Sequence, residues 1–232
     1  MADKQVYLLD ENEIEKENNK FSHDNKYEEE TLLMDIFRKY PLNDNIETVA
    51  MKIAALDMVN STNFVRYKKK ISLREMATYI CNITDFDERV KNGDPTLVNE
   101  LAKSNGNINL FSFASKYCTY HNVAVYKNDD YSIYDGIVAK HLPKYSKNLT
   151  QSKIEQWRKN LDYSSFVSCI TEILDKNNIH IDFRRRKFDY YLWYTYRNVK
   201  WNPWKRAEKA LFYCRKPRKN KIIVHIISVG DS

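Results

Sequence analysis

The sequence predicts an all-α protein. In 232 residues there are only 4 Gly and 5 Pro, too few turn-formers for a many-stranded fold, which needs them at short intervals. Through most of the chain, apolar residues recur at helical rather than alternating spacing. The length suits one sizeable helical domain or two small ones.

Residues 1–26 are polar, acidic and poor in large apolar groups, so no ordered core segment is expected there. Residues 27–40 read as a helix, with Leu32, Leu33, Ile36 and Phe37 at helical spacing and Pro41 ending it. Residues 45–60 form the most apolar helix, expected at the centre of the fold. Residues 73–81 give another, and 85–90 and 96–103 give shorter ones. Asn105–Gly106–Asn107 marks a turn. The segment INLFSFASKYCTYHN (108–122), a polar break at Lys127–Asp130 and IYDGIVAKHLP (133–143) follow. Residues 152–178 carry one or two helices with Phe166, Ile170 and Leu174 on one stripe, and 188–197 close the helical series. Residues 221–229, KIIVHIISV, are the one β-like run, readable as an appended strand or as an apolar tail. The expected organisation is an acidic segment 1–26, a helical domain 27–200 of about ten helices, and a basic, apolar C-terminal extension 201–232.

The net charge of +7 is unevenly spread. Asp10, Glu11, Glu13, Glu15, Glu17 and Glu28–Glu30 make the N-terminus acidic. Arg184, Arg185, Arg186 and Lys187, and then Arg215, Lys216, Arg218, Lys219 and Lys221, concentrate positive charge in the last fifth. That footprint suits phosphate contacts on DNA, although a basic run is also what a solvated surface looks like. The 17 Tyr suit stacking on bases as well as ordinary packing. Cys81, Cys118, Cys169 and Cys214 form no CxxC pair, so neither a zinc site nor an iron–sulfur cluster is expected. His121 and His141 have no third ligand at metal spacing. No metal or cofactor is expected. The chain shows no signal peptide and no apolar run long enough to span a bilayer, which predicts a cytoplasmic protein with no membrane partner, a monomer being favoured.

The stretch 107–143 carries the chemistry. Tyr134–Asp135 opens a helix that ends at Pro143. An aspartate in a first turn stays ionised readily, because unpaired backbone N–H groups and the positive end of the dipole favour its charge. Lys116, expected near the start of the preceding helix, would find that same end unfavourable, and partial burial would push it further toward the neutral amine a nucleophile must be. Taken alone, Asp135 is more often a cap than a catalyst, and Lys116 more often a surface lysine.

FASKYC followed by IYDGIVAKHL resembles the hairpin and following helix of the helix-hairpin-helix DNA glycosylases, in which LPGVGxKxA precedes an apolar stretch and a VDxHVxR helix. On that resemblance Lys116 takes the place of the lysine nucleophile of bifunctional members and Asp135 that of the shared aspartate. ALDMVNSTN (55–63) resembles the segment that lines the base pocket. The resemblance implies a helical bundle with a central cleft, double-stranded DNA with a flipped base as partner, and base excision without a cofactor. FASKYC…IYD…YLW is most similar to a clade labelled α-glutamyl/putrescinyl-thymine pyrophosphorylase-like, which includes a phage-defence glycosylase; this implies a modified, phage-specific base and an antiviral role. The chain departs from the pattern where Phe111–Ser115 replace the hairpin glycines and Gly136 follows Asp135.

Cleaving an N-glycosidic bond develops positive charge on the sugar, which an ionised carboxylate stabilises. The base must first leave the stack. Asn60, Ser61, Tyr134, Asp189 and Trp193 are the candidate base-pocket residues, Asp189 and Trp193 lying one turn apart on a helix. Ser115, Arg184, Arg185, Arg186, Lys187, Arg215 and Lys216 are the candidate DNA contacts. Two other readings stay open: a catalytically inactive helical DNA-binding or phage-sensing module, and a base-modifying pyrophosphorylase-like enzyme.

Overall fold

The computed structural model describes residues 6–60, 62, 64, 70–104, 106 and 108–197. The protein is all-α: among these residues there are eleven α-helices, one π-helical turn and one 3-10 turn, and no strand. The C-terminal extension, with Arg215, Lys216 and the β-like run 221–229, lies outside the described residues, as does Ser61.

The helices are α1 (Glu11–Phe21), α2 (Asn25–Lys39), α3 (Ile46–Asn60), α4 (Leu73–Cys81), α5 (Phe86–Lys91), α6 (Pro95–Ala102), α7 (Phe111–His121), α8 (Gly136–His141), α9 (Gln151–Asn160), α10 (Tyr163–Lys176) and α11 (Arg184–Arg197). Most begin where a short polar side chain satisfies an unpaired backbone N–H. Asp10, Asp24, Asp94, Asp135, Thr150 and Asp162 each cap a helix this way. Ser72 and Glu75 form a reciprocal capping box on α4, and Pro95 starts α6 at a position where its missing N–H costs nothing.

Two expectations change. Residues 10–26 belong to the fold: Ile14 and Phe21 of α1 are buried, and α1 packs along α11. Few apolar side chains suffice because they fall on one stripe, while the acidic residues face solvent or pair with α11, as Glu15 does with Lys187 at 2.6 Å.

The central helix is α7, not the more apolar α3. Every residue of α7 is buried except Ser112, whereas α3 leaves Met58 81% exposed. A sequence as polar as FSFASKYCTYH tolerates this because its polar groups find partners. Ser115 Oγ donates to Ser112 O at 3.1 Å and Thr119 Oγ1 to Ser115 O at 2.8 Å. Tyr117 Oη donates to Asn43 Oδ1 at 2.6 Å, an oxygen that also accepts from the buried ammonium of Lys52 at 2.8 Å. Burial lowers the Lys52 pKa to about 8. His121, fully buried, lies 3.4 Å from Asp87 and is held well below its usual pKa by that burial.

A π-helical turn, Asn122–Tyr126, continues α7 and ends at Lys127 in the left-handed region. The chain from 127 to 135 has no helical or strand bonds of its own and is fastened by side chains. Asp129 accepts from the backbone N–H groups of Arg185 and Arg186 at 2.7 and 3.1 Å, anchoring the start of α11. Asp130 accepts from Asn122 Nδ2 at 3.0 Å, and its Cβ packs so close to Gly93 that an added methyl there would sit 2.6 Å away. Tyr163 Oη bridges the backbone N and O of Ser132, both at 2.7 Å. This strap delivers Asp135.

Candidate active site

Asp135 is the N-cap of α8. Its carboxylate accepts from Val138 N at 2.8 Å, as its place at a helix start predicts, and Gly136 beside it opens onto free space. Lys116 is the sixth residue of α7, beyond the first turn, which corrects its expected place at the helix start. The dipole is therefore not what weakens its hold on a proton. Burial is: the residue is 6% exposed, and desolvation lowers its pKa against the opposing pull of the Asp135, Asp189 and Glu30 carboxylates. Its Nζ donates to the backbone carbonyl of Asn60 at 2.9 Å.

Both residues line one cavity of about 260 Å³, together with Lys26, Glu30, Val59, Asn60, Ile133, Asp189, Tyr190 and Trp193. Five predicted residues thus converge: Lys116, Asp135, Asn60, Asp189 and Trp193. They come from α3, α7, the α8 cap and α11, so only the tertiary fold assembles them. Trp193 carries the Arg197 guanidinium over its ring at 4.2 Å and meets Phe21 edge-on.

Behind the cavity runs a continuous polar chain. Arg186 donates to Asp189 Oδ2 at 2.7 Å, to Glu30 Oε2 at 2.6 Å and to Tyr120 Oη at 2.8 Å. Its guanidinium lies between the Tyr120 and Tyr190 rings, 4.6 and 4.0 Å from their centroids. Tyr190 Oη also donates to Glu30 at 2.9 Å. Asn60 Nδ2 donates to Tyr120 Oη at 2.8 Å, which links the chain to the Asn60 carbonyl and so to Lys116. One guanidinium thus serves two buried carboxylates. Burial pushes Asp189 up to about 7, with Asp135 and Glu30 raising it further and Arg186 opposing.

Other predicted residues do not reach the cavity. Tyr134 is core: its ring meets Phe111 and Phe166 edge-on at 5.1 and 5.6 Å and its hydroxyl bonds Glu155 at 2.9 Å. Ser115 is fully buried and accepts from Tyr134 N at 3.0 Å, so it touches no phosphate. The basic run has partners within the fold, and Arg186, buried at 5% exposure, is not the phosphate contact it was expected to be. Arg184 pairs with Asp175 at 2.6 Å, Arg185 bonds Asp129 O at 2.5 Å and Thr171 at 3.0 Å, Arg186 is the buried hub, and Lys187 pairs with Glu15.

Lys26 and Glu30 were missed by sequence reasoning, and Tyr190, read as more often a core or surface aromatic than a base stacker, also lines the cavity. Glu30 had a readable signal, since it shares a helical stripe with Leu33 and Phe37, and a carboxylate on a buried stripe needs a partner. Among the described residues no group of three or more His, Cys, Asp or Glu is placed to hold a metal ion, and no helix is long and apolar enough to cross a membrane.

The fold and the cavity define an all-helical protein with a charged, aromatic-walled internal site. The family model HI_0787_N, described as an N-terminal domain, matches residues 13–130, and the chain belongs to that family. The matched segment contains Lys26, Glu30, Asn60 and Lys116 and stops short of Asp135, Asp189 and Trp193. An uncharacterized protein of Haemophilus influenzae is 33% identical over 145 residues, covering 60% of this chain and 64% of its own length. The chain therefore spans somewhat less than two thirds of that relative. No solved structure matches the chain.

Proposed function

We propose that this chain is a DNA N-glycosylase that excises a base, a modified and phage-specific one by the sequence resemblance, and leaves an abasic site. The supporting observation is that the Lys116 amine and the Asp135 carboxylate, from different elements, line one cavity with Asn60, Asp189 and Trp193. Breaking the C1′–N bond builds positive charge on the sugar. Asp135 is the carboxylate to stabilise it and Lys116 the nucleophile to take up C1′. At about 260 Å³ the cavity lies just below the roughly 300–1,000 Å³ of drug-sized sites, a size for a ligand as small as one extruded base. Exposed Lys140, on the helix that Asp135 caps, is available for phosphate contact.

The test is incubation of the full chain with ordinary DNA and several modified phage DNAs, with mass spectrometry of the small-molecule fraction. Release of a free base by the wild type, lost in Asp135→Asn while DNA binding survives, is expected. Binding without any released base supports an inactive sensing module instead, and a mass gain on the DNA supports a base-modifying enzyme. Either result overturns the proposal.

A further inference from the structure

The glycosylase reading uses one carboxylate and one amine, yet the cavity holds a third group in position to act. Asp189 lies one turn before Trp193 on α11, so its carboxyl and the indole share a helix face and line the same cavity. Its Oδ2 is tied to Arg186. Among the described residues no donor bonds Oδ1, and that oxygen is not sealed in the interior. A base in this cavity would have Trp193, Asp189, Asp135 and Lys116 all in its walls.

Resting on that reading, we infer that Asp189 is the acid that protonates the departing base, and that the site is built for a neutral base rather than a cationic, alkylated one. The charges around Asp189 support this. Arg186 is on its own helix, Lys26 and Glu30 face it from α2, Lys116 from α7 and Asp135 from the α8 cap. On α1 Glu15 is taken up by Lys187, and on α10 Asp175 by Arg184. Three carboxylates therefore share the Arg186 guanidinium and two lysines, one of them desolvated. Keeping a proton on one carboxylate is the least costly arrangement. Glu30 has two donors, Arg186 and Tyr190, and Asp135 has a backbone N–H. Asp135 and Asp189 have one donor each, and burial sets them apart: the Asp189 side chain is 12% exposed and walled in with Glu30, whereas Asp135 sits at a helix start, so Asp189 is the carboxylate to carry the proton. Its rise to about 7 agrees.

The step balances without a further reagent. The C1′–N bond breaks and its electron pair goes to the base, which takes the Asp189 proton and leaves neutral. The Lys116 amine bonds to C1′, and the proton of the resulting ammonium passes to the Asp135 carboxylate. The C1′–O4′ bond then opens, O4′ taking that proton from Asp135 and the nitrogen forming a protonated Schiff base with C1′. One water hydrolyses the C=N bond to the sugar aldehyde and the Lys116 ammonium, whose extra proton passes to Asp189 and restores the start. A base that is already cationic leaves neutral with no proton supplied, so it gains nothing from Asp189.

Single-turnover base release by the full chain tests this. The substrates are a panel of phage DNAs with neutral modified bases and a duplex carrying N7-methylguanine, with wild type, Asp189→Asn and Asp189→Glu measured from pH 5 to 9. On the neutral base, Asp189→Asn is expected to slow release by about 10²–10⁴-fold and to abolish the decline in wild-type rate above about pH 7. Asp189→Glu restores part of both. Asp189→Asn should slow release of 7-methylguanine far less than release of the neutral base, and circular-dichroism melts report that each variant is folded. Unchanged release of the neutral base in Asp189→Asn, or slowing with the pH profile intact, overturns the acid assignment and leaves the glycosylase reading in place. A wild type that frees no base from any DNA removes both.

Discussion

Lys116 Nζ donates to the Asn60 backbone carbonyl across 2.9 Å, while the side-chain amide of that asparagine holds Tyr120. The amine is thus aimed by a backbone acceptor and not by a carboxylate. A neutral amine can keep that bond with one N–H and still direct its lone pair elsewhere, whereas a tight carboxylate partner would favour the charged form.

Lys116→Met is expected to abolish borohydride trapping of a DNA adduct. Because a matched apolar side chain replaces a desolvated ammonium, stability should stay level or rise by about 1 kcal/mol. Urea melts check this, and a loss beyond about 2 kcal/mol would mean that the ammonium is chiefly structural.

Asp135→Asn and Asp135→Ala separate charge from capping. Both should cut base release by about 10²–10³-fold, the scale of losing one preorganised electrostatic group. Only the alanine should also cost about 1 kcal/mol of stability, because asparagine still caps α8. Near-normal release by the asparagine variant would show that the carboxylate charge is not used.

Arg186→Met should be the most damaging change in the buried network, at about 3–5 kcal/mol, since it strands the Glu30 carboxylate without its cation and leaves Asp189 and Tyr120 without their donor. Thermal melts measure it. A loss under about 1 kcal/mol would mean those carboxylates do not depend on the guanidinium.

Arg184→Ala and Lys187→Ala should leave DNA affinity within about threefold and change the salt slope by less than about 0.9 per residue, because each cation already has an acidic partner. Salt titrations of binding settle the matter. A full unit lost from the slope would return these residues to the phosphate contacts.

The pH dependence of stability follows from Asp189. Its native pKa of about 7 exceeds the ~3.9 of an unfolded aspartate, so the native state binds the extra proton between those values. The resulting stabilisation is complete below about pH 4 and is lost as pH rises toward 7. Asp129, raised to about 6 by burial, acts in the same direction. Asp189→Asn carries no such proton, so wild-type stability relative to this variant should fall across pH 4–7 by up to a few kcal/mol. Calorimetry at half-unit intervals gives the answer; a flat difference contradicts the assignment.

Helical periodicity and polar caps made the fold class and most helices legible, since these signals are local. α7 was misjudged because its polarity hid its burial: hydropathy cannot see that Tyr117, Tyr120 and His121 meet partners from other helices. That Asp135, Lys116, Asn60, Asp189 and Trp193 line one cavity could be anticipated only as far as helix position and spacing go, because the cavity itself is made by the packing of α3, α7, α8 and α11. The partners of the basic run were illegible for the opposite reason. Clustered arginines announce charge, but not whether Glu30, Asp129, Asp175 and Asp189 will claim it, and those partners lie up to 156 residues away in sequence.

The strap that carries Asp135 has a mechanical implication. A segment without ladder or helix bonds, yet fastened at Asp129, Asp130, Ser132 and Tyr134, arrives already set, so docking of a substrate need not be preceded by ordering of the loop. Such a tether also tolerates little editing: one residue inserted between 129 and 134 would put every fastening out of phase at once. In a library of random insertions this short stretch should stand out as a gap as empty as those inside the helices.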